Sequence, residues 1–281
     1  ASSDSSLKII ERYTNKKIVL NKNKVNLGIA KSLNLGVSIA KGEYIARMDA
    51  DDIILKNKII DQITYMKNNK LDFCGTYIRF FGHIKRIIKY PILNDDIRFF
   101  MLFGCPFAHP TIIFKKKLIL NINFEHRPAE DFALWTKIAT NKKIKFGNLP
   151  NVYLNYRVHK NQISFDKRKI IKDTLEICKV YASSYLNNNL LKDLNKLNFG
   201  MNEKYNTSET TKLIKCIYEI SKEKSISKKT INFIILSFLN KTERISISKF
   251  FSLIFMILKL NFFSIKFITI FTFIFFNQFL K

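Results

Sequence analysis

The chain has 281 residues and a formal net charge of +26, with 47% hydrophobic and 25% charged residues. That apolar share excludes a largely disordered chain, and the length suffices for one large domain plus an appendage. The cationic excess excludes a surface indifferent to anions, so nucleic acid, acidic lipid or a phosphate-bearing substrate is the class of partner to look for.

Taken in order, the polar start at Ala1 to Ser6 supplies N-cap residues for a helix carrying Leu7, Ile9, Ile10 and Tyr13 at helical spacing. A short strand is predicted over 17–20. A helix follows over 28–41, opened by Gly28 and closed by Gly42. An apolar run, Tyr44 to Met48, reads as a buried strand over 43–48. It ends in Asp49, Asp51 and Asp52. Three like charges this close repel, and burying one unpaired costs several kcal/mol. Either a divalent cation shared with a phosphate-bearing substrate sits there, or the loop is a polar turn in which Asp51 or Asp52 caps the next helix. The carboxyl end of a strand is where open α/β sheets bind ligands.

An amphipathic helix is predicted over 56–68, then a hairpin of strands 71–81 and 84–90 about Gly82 and His83. A helix over 94–103 follows, capped by Asn94 or Asp95. The loop 99–106 is expected to offer exposed binding surface. Cys105 to Phe114 reads as a strand entered through an X-Pro turn, with His109 at its mouth. Glu130 and Asp131 open an amphipathic helix containing Phe132, Leu134, Trp135 and Ile138. Acids in a first turn suit the helix dipole. A strand bearing Tyr156, Arg157 and His159 follows, at an expected sheet edge.

Beyond 165 the chain is helical and polar, with helices around 175–181, 211–221 and 228–240. The tail over 248–281 alternates phenylalanine and isoleucine with Lys249, Lys259, Lys266 and Lys281. Its longest uncharged run is shorter than the roughly 20 residues a spanning helix needs. It reads as amphipathic helices on an anionic membrane surface or as a helical cap on the rest of the chain. Cys74, Cys105, Cys178 and Cys216 lie far apart without C-x-x-C spacing, so a reducing compartment is expected.

The series Asn26, Gly28, Ala30, Asn34, Gly36, Ala40, Gly42, Glu43 and Tyr44, followed by Asp49-Ala-Asp51-Asp52, resembles the donor-binding half of family-2 glycosyltransferases. The stretch from Glu130 to Trp135 resembles their E-D-x-x-L-W element, and 148–159 resembles N-L-P-x-x-x-x-x-Y-R-x-H. One departure is Leu33, where many members carry arginine. The resemblance covers about 1–164 and implies a GT-A fold: a Rossmann-like mixed α/β sheet flanked by helices. It implies a catalytic domain over 1–165 that lacks its first strand, and a helical region over 166–281.

The implied activity is a metal-dependent, inverting transfer of a hexosyl or N-acetylhexosaminyl group from a nucleotide sugar, a UDP-sugar first of all. The acceptor would be a glycan or lipid-linked sugar in cell-surface polysaccharide synthesis, at the cytoplasmic face of a membrane. Asp131 would be the base. Asp49 and Asp51 would bind Mn²⁺ or Mg²⁺ and, with Asn26 and Asn34, the donor. Asp52, His109, Glu130, Arg157 and His159 are the further candidates. The alternative is a basic protein that binds nucleic acid or anionic membrane without catalysis, although no nucleic-acid motif is present.

Overall fold

The computed structural model describes residues 1–13, 17–159, 167–195 and 206–239. The tail over 248–281 lies outside the described residues. In chain order the elements are α1 (Ser6–Glu11), α2 (Gly28–Ile39), β1 (Tyr44–Ala46), β2 (Ile53–Ile54), α3 (Lys58–Asn68), β3 (Phe73–Gly82), β4 (Ile87–Ile88), α4 (Asn94–Phe100), β5 (Ile113–Lys115), α5 (Glu130–Thr140), β6 (Phe146–Val158), α6 (Lys167–Tyr185), α7 (Asn188–Asn195), α8 (Thr207–Glu223) and α9 (Lys228–Leu239). Short 3₁₀ turns occupy His109–Thr111 and Lys116–Ile119.

The strands form one mixed sheet in the order β1-β5-β3-β6-β2, with β4 also paired to β3. The β3–β6 pair is parallel and the other pairs are antiparallel. Successive residues of a strand point to opposite faces. Phe73, Phe114 and Phe146 therefore turn to one side of the sheet, where Phe73 and Phe114 meet Trp135 of α5 with centroids 4.8 and 5.9 Å apart. Cys74 and Ile113 turn to the other side and pack with Met66 of α3. The large core on the first side continues through Ile177, Tyr181, Ile214, Ile217, Ile234 and Phe238 of the later helices. Among the described residues no helix is long and apolar enough to cross a membrane.

Several local expectations change. Residues 17–20 form no strand; Val19 is 79% exposed, and no neighbouring strand offers it a ladder. Helix α2 ends at an extended Ala40 rather than at Gly42. Helix α4 is preceded by Leu93, because the Asn94 side chain is used elsewhere: its Oδ1 accepts from Phe146 N at 3.0 Å and Arg98 Nε at 3.3 Å. Residues 99–103 are buried at 9% exposure or less and offer no exposed binding surface. Pro110 sets a 3₁₀ turn, so the strand predicted from 105 begins at Ile113. Strand β6 is not an edge, since it lies between β3 and β2.

Candidate active site

The loop leaving β1 holds the acidic trio. Asp49, Asp51 and Asp52 each offer a carboxylate oxygen within 4.8 Å of the others. Neither Asp51 nor Asp52 caps α3, whose N-cap is Asn57 with φ 67°. Strand β6 closes over the loop from the other side. Arg157 N donates to Asp52 Oδ1 at 2.9 Å, and Arg157 Nε donates to the Asp51 carbonyl at 2.9 Å. The guanidinium also stacks on Phe81, 4.5 Å from its centroid. His159 Nε2 lies 3.1 Å from Asp51 Oδ2. Asp52 is 6% exposed and its Oδ2 is buried without a hydrogen-bond partner. Burial first, with Asp51 and Asp49 adding repulsion, pushes its carboxyl up to about 6, although the Arg157 N–H opposes the rise.

The second acidic pair opens α5. The apolar residues of this helix, Phe132, Leu134, Trp135 and Ile138, lock it against the sheet. That packing fixes where its first turn points. Asp131 Oδ1 accepts from Phe132 N at 2.7 Å. His109, on its 3₁₀ turn, places Nδ1 3.8 Å from Glu130 Oε1 and 3.9 Å from Asp131 Oδ2, and its Nε2 is buried without a partner. Burial and the charge of Arg47 hold His109 well below its ordinary pKa, so the imidazole is neutral and these approaches are not ion pairs. Burial, then Asp131, pushes Glu130 up to about 7. Burial also raises Asp131, against the Phe132 N–H and Arg47.

The two groups of acids share one electrostatic field. Asp49 raises both Glu130 and Asp131, and Arg47 lowers both. Arg47 is also ion-paired to Asp49. A cation that directly follows β1 thus acts on both groups. Sequence reading missed it; the available signal was an arginine two residues ahead of an acidic loop.

The two asparagines make backbone contacts. Asn26 Oδ1 accepts from Gly28 N at 2.9 Å, which fits the left-handed Gly28 (φ +73°) at the start of α2. Asn34 bonds both ways to the Phe124 backbone, at 2.9 and 2.8 Å, so its amide serves as a tether between α2 and the 124 segment. Leu33 packs on the core. A separate cleft of about 380 Å³, with Arg98, Lys142, Tyr185 and Lys224 in its lining, includes none of these acids.

The sequence model of glycosyl transferase family 2 matches residues 1–122. An uncharacterized glycosyltransferase of Haemophilus influenzae is 31% identical over 241 residues, covering 78% of this chain and 73% of the relative. The chain belongs to glycosyl transferase family 2. Within the family, the Escherichia coli UDP-Glc:alpha-D-GlcNAc-diphosphoundecaprenol beta-1,3-glucosyltransferase WfaP is 34% identical over 172 residues, covering 60% of this chain and 67% of the relative. Among solved structures, S. aureus TarS in complex with UDP-GlcNAc superposes with a TM-score of 0.55 at 17% identity, over 82% of this chain and 71% of that one. That likeness concerns the fold, a GT-A mixed sheet flanked by helices. The chain is a glycosyltransferase.

Proposed function

We propose that this glycosyltransferase transfers a hexosyl or N-acetylhexosaminyl group from a UDP-sugar to a glycan or lipid-linked acceptor, with inversion, and that it depends on a divalent cation. The observation that carries the reading is the pairing of two acidic groups, a trio whose carboxylates lie within 4.8 Å of one another and the Glu130–Asp131 pair beside His109, with Arg47 ion-paired to Asp49 and acting on Asp131 as well. The acceptor class is supported by WfaP, whose name specifies a diphosphoundecaprenol-linked acceptor. Such acceptors imply cell-surface polysaccharide synthesis and a peripheral place on the cytoplasmic face of a membrane.

The donor set fits Mn²⁺ or Mg²⁺: three hard carboxylates in close reach, one with a buried oxygen lacking any hydrogen-bond partner. Asp49 and Asp51 would hold the ion, with Asp52 in support. When bound, it would neutralise charge on the departing diphosphate. The remaining chemistry belongs to the chain. Asp131 accepts the proton of the acceptor hydroxyl as that oxygen bonds to the anomeric carbon, and the C–O bond to UDP breaks with its electron pair leaving on the diphosphate. Asp131's raised pKa suits a base, since it increases the carboxylate's proton affinity. Neutral His109 and Glu130 flank it, and Arg157 and His159 brace the Asp51 loop. These groups lie in the catalytic portion over 1–165, ahead of the helical region.

The test is transfer from a panel of UDP-, GDP- and dTDP-sugars, with and without Mn²⁺ or Mg²⁺. Turnover from a UDP-sugar that disappears on chelation and returns with the cation is expected. Turnover indifferent to the cation would remove it from the mechanism.

A further inference from the structure

We propose that Asp173, on α6 of the C-terminal helical region, is a positioning residue for the catalytic carboxylate of Asp131. The inference rests on reading Asp131 as the base. Helix α5 begins immediately after Ala129, a residue with no side chain able to cap it. The Ala129 N–H donates instead to Asp173 Oδ2 at 2.8 Å. The same carboxylate takes three contacts from Arg127: Nε at 3.1 Å from each oxygen and Nη2 at 2.7 Å from Oδ1. Arg127 Nη1 donates in turn to Glu125 Oε2 at 3.2 Å.

Asp173 is therefore the point where one distant helix fixes both the lead-in loop and the N-terminus of α5. Its side chain is 11% exposed, and that of Arg127 is 22% exposed. A bidentate guanidinium–carboxylate pair that also accepts a backbone N–H has little freedom to rotate. Burial alone would raise the Asp173 carboxyl, but the bonds from Arg127 and Ala129 outweigh it and hold it below its ordinary value. Asp131 lies two residues beyond the clamped amide. Phe132, Leu134 and Trp135 keep α5 seated without the clamp, so its loss frees the first turn rather than the helix. A displacement of about 1 Å at a reacting group costs on the order of 100-fold in rate.

The test uses the full chain and the variants Asp173→Ala, Asp173→Asn and Asp131→Asn, plus the double variant of Asp173→Ala with Asp131→Asn. Asp173→Ala should lower kcat about 10- to 100-fold, with donor KM and UDP affinity within twofold of wild type. Asp173→Asn keeps an oxygen for Ala129 N–H and should lose less. The double variant should be no slower than Asp131→Asn alone, because the group being positioned is already gone. Unchanged kcat in Asp173→Ala, or losses that add in the double variant, would overturn the proposal. If Asp131→Asn itself turns over like wild type, the base assignment falls and takes this inference with it. If Asp131→Asn is inactive and Asp173→Ala is not, only the inference falls.

Discussion

Glu130 is the group whose burial has the most readily measured consequence. Its folded pKa is pushed from 4.5 up to about 7, burial being the larger cause and Asp131 the next. The residue is 7% exposed, so solvent screens little of this. A rise of that size corresponds to roughly 3 kcal/mol at most. The sign follows from proton counts. Between pH 4.5 and about 7 the folded chain holds a proton that the unfolded chain has released, so stability falls as pH rises through that window. Glu130→Gln keeps the shape and cannot ionise. Relative to wild type, the variant should gain up to about 3 kcal/mol at pH 8 compared with its standing at pH 4.5. The assay is urea denaturation of both proteins at the two pH values, with the other titrating groups cancelling in the difference. A wild-type-to-variant gap that is the same at both pH values would show that Glu130 ionises normally, and would refute the dry first turn of α5 on which the active-site account depends.

Other perturbations test neighbouring parts of the site and fold. Arg47 lowers Glu130, Asp131 and Asp52, so Arg47→Leu should raise all three and move the acid limb of the pH profile of kcat/KM to higher pH. An unmoved limb would mean that Arg47 does not act on the base. Gly82 has φ +97°, and a Cβ there would meet Val158 O at 2.7 Å, so Gly82→Ala should cost about 1–3 kcal/mol in thermal or urea unfolding. Trp135, fully buried against Phe73, Phe114 and His109, should cost about 3–5 kcal/mol when replaced by alanine, read in the same way.

What could be read from sequence was what is local. The trio of aspartates announced itself because carboxylates at a strand end need a counter-charge, and the Glu130–Asp131 pair because its helix has a clear apolar stripe. What could not be read was pairing across long separations. Strand β6 pairs in parallel with β3 some 73 residues away, between Phe73 and Phe146, and no local pattern distinguishes that central strand from an edge. Asn94 looks like a cap and instead reaches the Phe146 amide. Arg47 looks like a solvated interruption of a strand until the fold brings its charge to bear on acids of α5, which begins 83 residues further on at Glu130. Asp173 in α6 is invisible for the same reason, since its partners are Arg127 and Ala129.

The proposed convergence of the two acidic groups on one donor is tested most directly by Asp131→Asn in the full chain, assayed for donor binding and for transfer in parallel. Donor affinity should stay within about twofold while transfer falls roughly 10²- to 10⁴-fold, the range removed with a general base. Transfer at the wild-type rate would contradict the assignment of the proton acceptor and leave the acidic trio without its counterpart.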